Sequence, residues 1–284
     1  MIAAALKESE ASIKALLTSE AWEGLEGEEG LVDKSKNAPE LAGALLTADF
    51  WRKLDWLIDL NEPVVESMHG LEADQPLLSK VLPAWKGLVG HARKWGVGKP
   101  QPIAKQVLDL FQARYKKHCR PNMVAAFAVD PDNFSYEMVA GMATVLPPTL
   151  SDEEREQVVK VVVRMSGGSA WAVEEELVGM ESAIWPPSMV TAVKVVLVGA
   201  EGQPKPDVPM QRRRALWLRC KDMYPLFSGV AFRLLSLHPS SCAAERNWSA
   251  WGRTYTSLRN RLSKEKAEQM IFFKANLPKT AEEL

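Results

Sequence analysis

The stretch "SSCAAERNWSAWGRTYTSLRNRL", residues 240–262, sets a single carboxylate, Glu245, among Arg246, Arg253, Arg259 and Arg261. Two chemistries compete for that carboxylate. In one it is a ligand to divalent cations, and then it needs companions. A single oxygen donor neither fixes the octahedral geometry of magnesium nor offsets the charge of two ions flanking a phosphate. In the other, Ser240 or Ser241 caps a helix beginning at Cys242. A carboxylate in its first turns gains a few tenths of a kcal/mol from the helix dipole and requires no metal. Trp248, Trp251 and Tyr255 recur at three and four residues and continue into Leu258 and Leu262. Such a stripe belongs to a core or an interface more readily than to a ligand box. The nearest other acids of interest, Asp130 and Asp132 in "VDPDNF", flank Pro131 in a turn-like setting, and nothing in the sequence carries them to Glu245.

No metal site is expected elsewhere. Cys119, Cys220 and Cys242 are odd in number, far apart and outside any C-x-x-C spacing, which argues against a disulfide framework and a cysteine-based zinc site alike. His118 and Cys119 are adjacent, so on a helix their side chains diverge by about 100°.

The elements that would position these residues are helical. "MIAAALKESEASIKALLTSEAW" places Ile2, Leu6, Ile13, Leu16 and Leu17 close to one face. After the acidic break "EGLEGEEGLVDKSKNAPE", a second long helix starts near Pro39 or Thr47, with Pro63 expected to kink or interrupt it. Helices follow over "LLSKVLPAWKGLVGHARKW" and "IAKQVLDLFQARYKKHC", separated by the loop "GVGKPQP". "RPNMVAAFAVDPDNF" reads as a connector with a short apolar run. "SDEEREQVVKVVVRM" opens on an N-cap serine with acids in its first turn, and "SGGS" stops it. A helix from Ala170 to about Ala183 ends at Pro186 and Pro187, and "SMVTAVKVVLVGA", ambiguous between helix and strand, is assigned as helix. The proline- and glycine-rich "GAEGQPKPDVPMQ" marks a domain junction, dividing the chain into residues 1–200, a linker at 201–210, and residues 211–284. Beyond it come a Trp217 helix, a break at Pro225, the apolar helix "LFSGVAFRLLSL", the quoted stretch, and a last helix capped by Ser263.

The 284 residues, 46 % hydrophobic and 25 % charged, suit a soluble globular chain with a substantial core. No apolar run approaches the ~20 residues of a membrane-spanning helix, so no membrane partner is expected. A charged, helix-like N-terminus argues against a secretory signal and for an intracellular location. The net charge of -1 conceals an asymmetry. Residues 1–40 hold four Lys/Arg against nine Asp/Glu, and residues 211–284 hold fourteen against six. A basic C-terminal segment suits a nucleic-acid contact, an acidic partner surface or a solvated helix face. For the first, Arg212, Arg213, Arg214, Arg253, Arg259 and Arg261 are the candidate phosphate-binding residues.

Ser240, Ser241, Glu245, Arg246, Ser249, Gly252 and the run Arg259-Asn260-Arg261-Leu262 resemble the C-terminal signature of hAT (hobo, Activator, Tam) transposases. The closing "MIFFKAN" and the upstream "LWLRCKDMYPLFSGVAFRLLSL" are similar to that family too. "FWRKLDWLIDLNEPVVESMHGLEADQP" and "MVAAFAVDPDNF" resemble segments of its helical insertion domain. The resemblance implies a mainly α chain: a helical insertion domain followed by the C-terminal helices of a truncated ribonuclease-H-like core. It implies a nuclear location, and it gives Glu245 the role of the glutamate in an Asp/Asp/Glu set that cuts DNA around divalent metal. The two aspartates of that set would lie before Met1, so Glu245 is expected to be vestigial and the chain no enzyme. Mg2+ or Mn2+ would be needed only if another chain supplied the aspartates. What remains implied is protein dimerisation, as a homodimer or with an intact hAT transposase, with DNA as the other possible partner. Trp217, Phe227, Phe232, Trp248, Trp251, Phe272 and Phe273 are the residues expected to form the interface.

Overall fold

The structure, a computed structural model, describes residues 2–19, 38–72, 75–139, 142–197, 210–241, 245, 248–249 and 263–276. The chain is mainly α, as expected, with one two-stranded sheet among the described residues. It divides into two compact units: residues 1–67 with 87–113, and residues 68–86 with 114–284.

The first unit contains α1 (Ile2–Glu8), α2 (Glu10–Leu17), α3 (Ala38–Leu46) and most of α4 (Ala48–Leu71). To it also belong the C-terminal part of α5 (Val81–Trp95) and the N-terminal part of α6 (Gln101–His118). Trp51 and Leu54 are its buried anchors on α4. The Trp51 indole N–H donates to the Leu45 carbonyl at 2.6 Å, and the Lys7 and Lys14 ammonium groups lie over its ring at 5.8 and 5.5 Å. Pro63 lies inside α4 and does not interrupt it, which leaves the kink of the two effects expected of it. A helical proline leaves the carbonyl four residues back without its N–H partner. That carbonyl, of Asp59, is met by the His91 imidazole Nε2 at 3.0 Å, so the orphaned acceptor is satisfied from α5.

The second unit is built around α7 (Pro121–Val129), α8 (Asp152–Ser166), α9 (Ala170–Glu181), α10 (Pro187–Leu197), α11 (Met210–Leu216) and α12 (Pro225–Leu234). The segment read as a connector is in fact helix α7, buried on nearly every side through Val124, Ala125, Ala126, Ala128 and Val129. An antiparallel hairpin follows, β1 (Ser135–Val139) with β2 (Met142–Leu146), in register from Ser135 opposite Leu146 to Val139 opposite Met142. The valine-rich segments, both assigned as helix from the sequence, are helices α8 and α10. Ser151 opens α8 with a capping box, its hydroxyl accepting the Glu154 N–H at 3.3 Å while the Glu154 carboxylate accepts the Ser151 N–H at 3.0 Å. Gly167 closes it at φ +75°, a conformation that favours glycine. The junction expected at residues 201–210 lies outside the described residues except for Met210. Helices on both its sides contribute to one core, through Met189 and Val193 before it and Met210 and Leu216 after it. A last helix, α13 (Lys264–Asn276), opens where the Ser263 hydroxyl accepts the Lys266 N–H at 3.3 Å.

Four aromatic rings form the centre of this core. Trp185 lies 6.2 Å from Trp217, 5.6 Å from Phe134 and 5.4 Å from Tyr224, centroid to centroid, at tilted or edge-on angles. Their polar handles are all used: the Trp185 indole donates to the Val145 carbonyl at 2.8 Å, the Trp217 indole to Val129 at 2.7 Å, and the Tyr224 hydroxyl to Ile184. No described helix is long and apolar enough to cross a membrane.

Candidate functional site

Glu245 sits where a helix begins. Its N–H donates to the Ser241 carbonyl at 2.9 Å, and the Ser241 hydroxyl donates to its Oε1 at 2.7 Å. Both side chains are exposed. The first of these hydrogen bonds is the i to i−4 bond of a helical turn. Among the described residues no group of three or more His, Cys, Asp or Glu side chains is placed to share a cation.

Asp130 and Asp132 are committed to a different purpose. The Asp130 carboxylate is fully buried and accepts from the Ser79 hydroxyl at 2.5 Å and from Arg213 Nη1 at 2.8 Å through Oδ2. Its Oδ1 accepts the Asp132 N–H at 3.0 Å. Arg213 Nη1 lies 3.3 Å from Asp132 Oδ2, which also pairs with Lys80. Two carboxylates thus face two cations, and the buried charges are matched.

Arg213 is therefore not a residue that can reach phosphate from solvent, in contrast to the expectation for it: only 6 % of its surface is exposed and its guanidinium is held by two aspartates. Three successive helical positions diverge by about 100° each. Arg212 points outward, and Arg214 lies half-buried with its guanidinium carbon 4.1 Å above the Phe232 ring. Arg253, Arg259 and Arg261 lie outside the described residues.

The seven aromatic residues expected at an interface separate into distinct groups. Trp217 and Phe227 are each only 1 % exposed and are consumed by the chain's own core, so they are unavailable to a partner. The Phe227 backbone is pinned as well: the Glu176 carboxylate of α9 accepts the Leu226 and Phe227 N–H groups at 3.1 and 3.0 Å, filling the acceptor role at the start of α12. Phe232, Trp248 and Phe272 face solvent, at 40, 74 and 65 % exposure. Trp251 and the Phe273 side chain lie outside the described residues. Sequence reasoning missed Leu218, Met223, Leu237 and Met270, which are also exposed in this region. Their residue types are those of the core, and no local signal separates them from it.

Burial raises the thiol of Cys220 to about 12, and burial, reinforced by Cys220 and Glu176, raises the phenol of Tyr224 to about 12. Both are neutral, structural groups at physiological pH.

Residues 214–277 match the hAT family C-terminal dimerisation region, which bears out the resemblance for that portion of the chain. The matched stretch begins at Arg214 and takes in Phe232, Glu245, Trp248 and Phe272. No curated protein matches the chain.

Proposed function

We propose that this chain acts by self-association through residues 214–277, as a homodimer or in a dimer with an intact hAT transposase, and that it does not itself cut DNA. The observation that carries the reading is the coincidence of the dimerisation-region match with three large aromatic side chains exposed inside it. Buried aromatic anchors supply most of the energy of protein interfaces, and arginine stacked on an aromatic ring, as Arg214 is on Phe232, adds to such sites. Two features support the catalytic part of the proposal. Glu245 is engaged with Ser241 at a helix opening, and the carboxylates of Asp130 and Asp132 are neutralised by Arg213 and Lys80. A nuclear location accompanies the same resemblance.

Size-exclusion chromatography with light scattering at tens of micromolar is the test. A dimer that Trp248→Asp or Phe272→Asp converts to monomer is the expected result. A wild-type chain that is strictly monomeric alone, and that does not bind an intact hAT transposase, removes the proposal. Mn2+-dependent DNA cleavage by the chain, abolished by Glu245→Gln, would overturn its catalytic part.

A further inference from the structure

Among the described residues, helix α4 leaves an apolar face uncovered within the first unit. Leu57 and Val65, two turns apart, are 49 and 44 % exposed. Together with Ile58 and with Ala3 and Ala4 of α1 they line a groove of about 360 Å³. The two alanines give it depth, because a larger side chain at either position would fill it. On its rim stand Glu62 and Glu66, one helical turn apart and exposed. Among the described residues neither carboxylate has a cation or a hydrogen-bond donor. A concave apolar floor with an unneutralised acidic rim fits a segment that offers an apolar stripe flanked by cations and no acid.

The chain's own sequence contains such a segment. Residues 253–262, "RTYTSLRNRL", space Tyr255, Leu258 and Leu262 at three and four residues, carry Arg253, Arg259 and Arg261, and hold no acidic residue. We propose that the α1/α4 groove receives residues 253–262 of a second copy of this chain, each copy giving its segment and offering its groove. Exchanged reciprocally between two copies, the contact is made twice. Tyr255, Leu258 and Leu262 cover the apolar floor, and the guanidinium groups reach Glu62 and Glu66, for which their planar fork is suited. The inference rests on the self-association proposed above and deepens it by naming the surface that the C-terminal segment grips.

Charge reversal on the full-length chain tests it by sedimentation equilibrium. Glu62→Lys with Glu66→Lys, and separately Arg259→Glu with Arg261→Glu, are each expected to raise the dimer dissociation constant about tenfold or more, because like charges then face each other. An equimolar mixture of the two variants is expected to regain wild-type affinity, since each altered groove then meets a segment of opposite sign. Restoration also shows that neither variant is misfolded. If both variants dimerise like the wild type while Trp248→Asp still yields monomer, the groove assignment falls and self-association stands. Loss in each variant without recovery in the mixture also overturns the assignment, and a monomeric wild-type chain removes the assignment together with the homodimer.

Discussion

Replacing Arg213 with alanine should cost the second unit about 3–5 kcal/mol, the loss seen when one partner of a buried ion pair is removed and the other stays behind. The magnitude follows from where the deletion leaves Asp130. Its carboxylate, without any exposed surface, would keep the Ser79 hydroxyl at 2.5 Å and the Asp132 N–H at 3.0 Å but lose the guanidinium at 2.8 Å. Lys80 is a weak substitute, since its ammonium stands 4.0 Å from Asp130 and is already engaged by Asp132. Urea unfolding followed by tryptophan fluorescence reports on the right place, because Trp217 hydrogen-bonds to Val129, the residue before Asp130. At roughly 2–4 °C per kcal/mol for a unit of this size, the midpoint of thermal unfolding should fall by roughly 6–20 °C. Asp130→Asn in the same background should recover part of the loss, because the stranded charge is removed, and the double variant should lose less than the two single variants summed. A loss under about 1 kcal/mol for Arg213→Ala, the range of an exposed pair, would refute the description of this network as a buried, matched set.

Other consequences are smaller and independently measurable. Ser151→Ala should destabilise α8 by about 1 kcal/mol in urea unfolding, since it removes the acceptor for the Glu154 N–H. Burial alone would push the Glu154 carboxyl up, but the Lys86 ammonium and the Ser151 N–H hold it below its ordinary value of 4.5. A carboxyl lowered on folding contributes stability that is complete above the unfolded value and is lost as pH falls through the folded one. Acid titration of stability below pH 4.5 should therefore be shallower in Glu154→Gln than in wild type. Burial pushes the Cys119 thiol up to about 11 and the Cys220 thiol up to about 12, so maleimide at neutral pH should label both far more slowly in the native chain than in urea. His91→Leu should cost about 0.5–1 kcal/mol by leaving the Asp59 carbonyl without its imidazole donor; an unchanged unfolding midpoint would show that water replaces it.

Much of the fold could be read from local chemistry. The serine and glutamate of the α8 capping box, the glycine that ends α8 and the serine that opens α13 act within a few residues of themselves, so their sequence positions suffice. Features set by distant neighbours could not be read this way. Helix α7 reads as a connector in the sequence because it is apolar on almost every side, and an element buried all round has no amphipathic period to detect. That α4 runs on through Pro63 depends on His91, twenty-eight residues further on, which meets the carbonyl the proline leaves without a partner. In Arg212-Arg213-Arg214 composition suggested one basic patch, whereas helical geometry sends one side chain to solvent, one to buried aspartates and one across an aromatic ring.

The aromatic residues of the matched region carry the same lesson into function. Periodicity identifies an apolar stripe but does not say whether the surface that covers it belongs to the same chain. Trp217 and Phe227 answer to their own chain: one indole is fixed by Val129, and the other residue's backbone is held by Glu176. That internal use gives the region a firm base, because α12 carries Phe227 on its buried side and Phe232 on its exposed side. Phe232 is thereby presented on a helix whose inward face is already packed, with Arg214 laid across its ring. Pre-ordered side chains lose less entropy on association than free ones, so their burial converts more fully into affinity. In the self-association proposed above, Phe232 with Arg214 is accordingly expected to anchor more strongly than its 40 % exposure suggests.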